Sequence, residues 1–381
     1  MEKTKKTLRI GIDGRVLQDP KPSGIPRYAF NIINEISKLD KKNQYVIFFN
    51  SFRNIKKDVP NFDGENIEKK FFNFPNKFLE WFWKIIPFPK IDKILGVDIF
   101  FSPHFINIPL SKKVKKIITI HDLSFLKNKR YFSFRKNIWH WQMNPKKFSR
   151  NSDKIIAVSE NTKKDLINIY KIKEEKIKVI YNGFENRNDK IDLEKERFFL
   201  DYFNIKSKEY VLFLATLEPR KNIEGIIDSF AKIHRQNKNI KLLISGKKGW
   251  LFKNIFKKVK KYKLEDKIIF TDFLNEEEKN IIFKNAKIFI FPSFCEGFGI
   301  PLIEAKSYNI PIITSSTSSI PEIIKDGAIL INPHNIYDIA TSLDIINKNE
   351  KIKKILSLKM KKIKNNTWQE SANKTLEYLI S

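Results

Sequence analysis

Short runs of apolar, β-branched and aromatic residues recur along the chain, with segments of helical period between them. In the first half the runs are Leu8–Asp13, Tyr45–Phe49, Val97–Phe101, Ile117–His121, Ile155–Val158 and Ile177–Tyr181. In the second half they are Tyr210–Ala215, Ile240–Ser245, Lys267–Thr271, Lys287–Phe291, Ile310–Thr314 and Ala328–Ile331. Asn222–Gln236, Glu276–Asn285 and Ile300–Tyr308 are the clearest helices between the later runs. Strands of this length alternating with helices predict parallel, doubly wound α/β sheets. Two such series, divided by the charged stretch Gly183–Lys208, predict two similar α/β domains facing each other. No internal repeat or low-complexity linker interrupts them. Ligands of such sheets bind beyond the carboxyl ends of the strands, so the residues just after each run are searched first.

Length and composition agree with two domains. The chain has 381 residues, at roughly 100–200 per domain. Its 41% hydrophobic and 13% aromatic content supplies a large core and excludes a disordered tail. The longest apolar runs fall short of the roughly 18 residues that a membrane span needs. The start, MEKTKKTLRIGID, has no apolar secretory region. The expectation is a cytoplasmic protein, soluble or peripheral on the inner face of the membrane. Cys295 stands alone, which excludes an internal disulfide and a Cys-rich metal site. His104, His121, His140, His234 and His334 lack ligand spacing, so no metal is expected.

The charge changes the picture further. Lys and Arg number 73 against 43 acids, a formal balance of +30. Compositional drift accounts for part of it, since Asn, Ile and Phe are abundant alongside Lys. The distribution is uneven, however. Eight bases (Lys127, Lys129, Arg130, Arg135, Lys136, Lys146, Lys147, Arg150) and no acid lie between 127 and 150. Phe132, Phe134, Trp139 and Trp141 are interleaved with them, and 73–90 is apolar and aromatic with three lysines, including Phe74, Trp81 and Trp83. Such stretches suit an anionic membrane surface and equally a nucleic-acid backbone.

Four segments carry candidate chemistry. Glycine is scarce, 12 residues, so each is read as positional. Gly24 lies in PSGIPRYAFNIINEI, a turn running into an amphipathic helix whose first N–H groups suit an anion. ATLEPRKNIEGIIDSF (215–230) puts Arg220 and Lys221 at a helix start. Cations there oppose the helix dipole, and an anion between them reverses the cost. FPSFCEGFGIPLIEAKSYNIPIITS (291–315) places Glu296 on a loop flanked by Gly297, Phe298 and Gly299, with Glu304 eight residues on inside the next helix. The glycines allow unusual backbone and close ligand approach, and the two carboxylates suit hydroxyl groups at two ends of one elongated ligand. ITIHDLSFL puts His121 and Asp122 just after a strand.

Taken in order, SGIPRY, SPH, HD, SDKIIAVSENTKKDL, KVIYNGFE, EPRKN, EGFGIPLIE, SSIPEIIKDGAILINP and TWQESANKTLEYL resemble family four of the retaining glycosyltransferases over nearly the whole chain. EPRKN with EGFGIPLIEA looks most like the mannosyl- and rhamnosyltransferase branch. The resemblance implies the GT-B fold, two Rossmann-like domains with the donor in the cleft. Residues 1–190 would form the acceptor-side domain, 191–365 the nucleotide-sugar domain, and 366–381 a terminal helix crossing back to the first. It implies that Arg220 and Lys221 neutralise the nucleotide diphosphate, with the Gly24 loop closing over it. Glu296 would contact the transferred sugar, Glu304 the ribose, and His121, followed by Asp122, would lie beside the sugar. Ala215 and Thr216 stand where the family often has Gly and Arg, Pro26 where a second glycine is common, and Asp272 where Gly is usual.

The implied activity is transfer of a hexose, GDP-mannose being the favoured donor, to a glycan or lipid-linked saccharide of a surface polysaccharide. It implies no cofactor besides that donor and no specific nucleic acid. Two alternatives remain: a nucleotide-sugar hydrolase or epimerase on the same fold, and a non-catalytic polyanion-binding protein.

Overall fold

In a computed structural model of the protein, the described residues are 7–19, 24–52, 58–75, 82–83, 86–185, 191–235 and 239–381. They form two compact units. The first comprises residues up to Leu123, Ile138–Gly183 and Asn366–Ser381, and the second comprises Ser124–Asn137 and Phe184–Asn365.

The first unit is built on seven parallel strands: β1 (Arg9–Asp13), β2 (Gln44–Asn50), β3 (Ile67–Phe72), β4 (Ile99–Ser102), β5 (Lys115–Ile120), β6 (Lys154–Ala157) and β7 (Ile177–Val179). Their order is 3-2-1-4-5-6-7. The inner strands read as unbroken apolar runs because helices cover both faces of the sheet. β3 was not foreseen. Its sequence, IEKKFF, lacks a fully buried position, and it lies at the sheet edge. Charged residues there discourage pairing with another chain. The helix α1 (Gly24–Leu39) turns Tyr28, Ala29, Ile32, Ile33 and Ile36 into the core. There it meets the terminal helix Trp368–Ile380, which contributes Trp368, Ala372 and Leu379 to the same cluster. Thr367 and Glu370 close a capping box at that helix's start. Its entry passes close over Gly183, where a Cβ would stand 2.3 Å from the Trp368 Cα.

The second unit has six parallel strands: β8 (Tyr210–Leu214), β9 (Lys241–Ser245), β10 (Ile268–Asp272), β11 (Ile288–Phe291), β12 (Ile312–Ser315) and β13 (Ile329–Ile331). The order is 10-9-8-11-12-13. Its helices include Ile223–His234, Glu276–Asn285 and Ile300–Ser307, within a residue or two of the sequence reading. Ile223, Ile226, Ile227, Phe230 and Ile233 form the buried stripe of the first of these. The polar stretch between the two series itself carries a helix, Leu193–Tyr202, capped by Asp192.

In each sheet two neighbouring strands send their connections to opposite sides. These are β1 with β4 and β8 with β11. The carboxyl ends of such pairs diverge into a crevice, the usual ligand position of this architecture.

Candidate functional site

The crevice of the second sheet is lined by the loops after β8 and β11. The Phe294 N–H donates to the Arg220 carbonyl at 2.9 Å and ties the two loops together. Arg220 and Lys221 lie in a single 3-10 turn, Pro219–Lys221. The Lys221 ammonium donates to Glu296 Oε1 at 2.6 Å. Arg220 Nη1 lies 3.6 Å from Glu296 Oε2 and donates to the Cys295 carbonyl at 3.1 Å. Its Nε and Nη2 meet Glu218 Oε1 at 3.0 and 2.9 Å. Two cations and two carboxylates thus neutralise one another in a buried cluster. The unfavourable pair of cations read from the sequence is answered inside the protein by Glu218 and Glu296.

Burial pushes the Glu296 carboxyl up, but Lys221 and Arg220 more than offset this and hold it below the ordinary carboxylate value. The residue is ionised at neutral pH. Its backbone is fixed as well: Ser318 Oγ accepts from the Glu296 N–H at 3.1 Å, and the Ser318 and Ser319 hydroxyls donate to its carbonyl. Asn222 adopts a left-handed φ of 57° and donates through Nδ2 to the carbonyls of Pro292 (3.2 Å) and Pro333 (2.7 Å). Its side chain, turned to those loops, makes no cap hydrogen bond to the helix Ile223–His234.

Glu304 is buried in the helix Ile300–Ser307, with Lys279 Nζ 3.8 Å from its Oε1. Gly299 starts that helix at φ 92°, a conformation that strains any residue with a Cβ. Gly297 is not among the left-handed glycines, which corrects the expectation that both glycines supply unusual backbone. Phe298 between them is buried. Asp272, standing where glycine is usual in the resembled family, adopts φ 57°, the region that favours glycine.

The remaining candidates lie in the first unit. His121 follows β5 and is buried; its Nε2 lies 2.9 Å from the Pro103 carbonyl. A carbonyl only accepts, so Nε2 carries the proton. Burial lowers the His121 pKa, and its edge packs against Tyr28 at 4.8 Å. Its neighbour His104 is pushed down to about 3, also by burial. The imidazoles are therefore neutral donors and acceptors, not cations. Asp122 is half-buried beside them. Gly24 is exposed at the start of α1, while Ser23 of the same motif lies outside the described residues.

One pair escaped the sequence reading. Arg15 grips Asp13 through Nε (2.9 Å) and Nη2 (2.6 Å) at the carboxyl end of β1, and the two side chains are buried. The guanidinium also lies 5.6 Å from the rings of Phe48 and Trp83. Asp-Gly-Arg directly after the first strand is the signal that was available.

The basic-aromatic stretch divides. Trp83 is buried in the first unit's core, and Trp81 lies outside the described residues. Phe132 is buried and stacks on Trp250 at 5.8 Å, so neither Trp83 nor Phe132 forms a surface as expected. Trp139 is half-buried, with its ring 6.3 Å from Phe105. Phe134 and Trp141 remain 80% and 81% exposed. Ile138 is also exposed, and these three positions share one face of the helix Phe134–Met143. Among the described residues no helix is long and apolar enough to cross a membrane.

Comparison with known proteins is consistent across both halves. Residues 22–186 match the family model described as Glycosyltransferase Family 4, and 194–367 match Glycosyl transferases group 1. The O-antigen chain mannosyltransferase B of Escherichia coli is 28% identical over 145 residues, 38% of either chain. The O-antigen chain mannosyltransferase RfbU of Salmonella typhimurium is 30% identical over 235 residues, 60% of this chain and 59% of that one. The matched part thus spans less than two thirds of either relative. Among solved structures, HepE of Anabaena in complex with UDP and glucose superposes with a TM-score of 0.72 at 15% identity, covering 99% of this chain and 100% of that one. The two sheets are those of the GT-B fold.

Proposed function

We propose, on the premise that its two halves belong to the families described as Glycosyltransferase Family 4 and Glycosyl transferases group 1, that the chain moves a hexose, mannose first, from a nucleotide diphosphate sugar to a glycan or lipid-linked saccharide. The observation that carries this reading is the cluster at the β8/β11 crevice. There an ionised carboxylate, Glu296, is presented on the same loops as two cations, Arg220 and Lys221. When the bond from the sugar's anomeric carbon to the diphosphate breaks, positive charge grows on the sugar and negative charge on the leaving group. A fixed array with one carboxylate and two cations complements both ends of that separation. Glu296 faces the sugar, and Arg220 and Lys221 turn to the diphosphate. The acceptor's hydroxyl oxygen forms the new bond on the face the nucleotide leaves, and its proton passes to the departing diphosphate oxygen, so configuration is retained. Glu304 receives the ribose hydroxyls, and neutral His121 donates or accepts a hydrogen bond beside the sugar. Arg220 and Lys221 supply the charge that a metal ion otherwise would.

Mannose is favoured because the curated relatives are named O-antigen mannosyltransferases, and a nucleotide sugar because a fold neighbour holds UDP and glucose. GDP is the first choice of nucleotide. A lipid-linked acceptor fits the exposed face of Phe134, Ile138 and Trp141 with its many bases, which would hold the protein on an anionic membrane.

Titration calorimetry against GDP, UDP, ADP and their sugar conjugates tests the reading, followed by assay of sugar release and transfer with and without EDTA. One nucleotide bound and its sugar turned over, unaffected by EDTA, is the expected result. Binding of random nucleic acid with no nucleotide-sugar turnover would favour a polyanion-binding protein instead. Release of the free sugar in the presence of every acceptor would favour a hydrolase.

A further inference from the structure

The strip of chain that follows His121 and Asp122, Ser124–Asn137, packs with the second unit. Its docking is specific. The Tyr131 ring lies flat on Phe294, with centroids 5.0 Å apart and planes 5° from parallel, and Phe294 in turn stacks on His334 at 4.7 Å. The Trp250 indole N–H donates to the Tyr131 carbonyl at 2.7 Å. Phe132 stacks on that same indole, and the Lys136 ammonium lies 3.5 Å from its centroid. Trp250 therefore fixes the strip from three directions, and Tyr131 is held where its ring becomes a wall.

That wall encloses a cavity of about 240 Å³, completed by Phe294, Glu218, Glu224, Leu251 and Ile255. Its size is below the roughly 300–1,000 Å³ of pockets for drug-sized ligands, too small for a nucleotide. Its lining includes two carboxylates and no base, so it offers a phosphate no cation of its own. Aromatic and aliphatic walls with carboxylate acceptors match a single sugar ring, whose C–H faces are apolar and whose hydroxyls donate. Arg220 engages Glu218 through Oε1, leaving Oε2 as a second acceptor. Glu224 is part-exposed, 3.6 Å from Lys258, and its four lone-pair positions exceed that one partner.

We propose that this cavity is a subsite for one sugar unit of the acceptor glycan, formed when the strip from the first half of the chain seats Tyr131 on the second unit. The proposal rests on the glycosyltransferase reading above. It places part of the acceptor's grip on the unit that carries Arg220, Lys221 and Glu296.

Saturation-transfer NMR on the full chain tests it, with a panel of disaccharides ending in mannose, glucose, galactose or N-acetylglucosamine. Nucleotide diphosphate is present at saturation in one arm, which separates an acceptor subsite from the donor sugar's position. The expected result is that at least one disaccharide binds and stays bound at nucleotide saturation. Leu251→Trp, which fills the cavity from a half-exposed position, should weaken that binding at least tenfold while nucleotide affinity stays within twofold. Glu224→Gln, on an accessible side chain, should weaken it severalfold with the same unfolding temperature as wild type. Equal disaccharide binding in wild type and both variants overturns the subsite, as does absence of binding by any disaccharide to a wild-type protein that binds nucleotide. A wild-type protein that binds no nucleotide overturns the donor-site reading itself.

Discussion

At the scale of single residues, Glu296 is the point where charge, backbone and position converge. Its carboxylate lies between Lys221 and Arg220, and two serine hydroxyls hold its carbonyl. Glu296→Gln keeps the shape and removes the charge, and turnover should fall roughly 10²–10³-fold, the usual worth of a positioned electrostatic group. Removing an anion beside two cations should leave nucleotide affinity unchanged or raised, and weaker nucleotide binding in the variant would count against the assignment. The same change leaves two buried cations short of a partner, so the variant should melt earlier. Because the native carboxyl titrates below its unfolded value, that stability is present at neutral pH and lost as pH falls through the lowered native value. The gap in melting temperature between wild type and variant should therefore begin to narrow near the ordinary carboxylate value and close only at more acid pH. A gap already closed well above that ordinary value would show that the ion pairs do not form. Residue types and spacing made Arg220, Lys221 and Glu296 legible in the sequence. Their mutual pairing was not, because 75 positions separate Lys221 from Glu296.

At the scale of elements, the helix Phe134–Met143 shows what periodicity can and cannot decide. Its bases and aromatics were visible, but which aromatics face water depends on what packs beside the helix. Phe132 just before it is buried against Trp250, whereas Phe134, Ile138 and Trp141 project on one exposed face. Phe134→Ser with Trp141→Ser should therefore reduce flotation with anionic vesicles by tenfold or more. Arg130→Ser with Arg135→Ser should weaken it further, by about 1 kcal/mol per base before screening by salt. Lys136 is left intact because its ammonium rests on the Trp250 ring. Wild-type protein that fails to float at low salt would remove the membrane from the reading. Helix ends such as Glu276–Asn285 were readable because a capping box marks the start. The edge strand Ile67–Phe72 was not, since a charged strand without a buried face has no period to detect.

At the scale of the whole molecule, the chain's last helix returns to the unit in which the chain began. It buries Trp368, Ala372 and Leu379 with the core of β1, β2 and α1. Tyr28 of α1 lies 6.4 Å from Trp368, and Ser371 donates to the Tyr181 carbonyl. Gly183 is the contact that permits this closure, since any Cβ there meets the Trp368 backbone within 2.4 Å. Gly183→Ala should lower stability by roughly 1–3 kcal/mol, the usual cost of overpacking, read as a shifted urea midpoint. Nucleotide affinity, which the proposed function assigns to the second unit, should change little. An unshifted midpoint would mean that the helix seats elsewhere in solution.

Most of the strands, the helices between the later strands, the division into two series and the positions of the charged loops were determined by the sequence alone. Those properties are local: periodicity, turn residues and charge act over a few residues and are written where they act. Partnership was decided by the tertiary structure. Glu296 gained its two cations, and Tyr131 its stack on a ring 163 positions away, only once the chain had folded. The same charged and aromatic residues, read in a line, fit a membrane, a nucleic acid or a core equally well. Burial chose among these for each side chain, because desolvation depends on what lies beside a group in space and not on what precedes it in the chain.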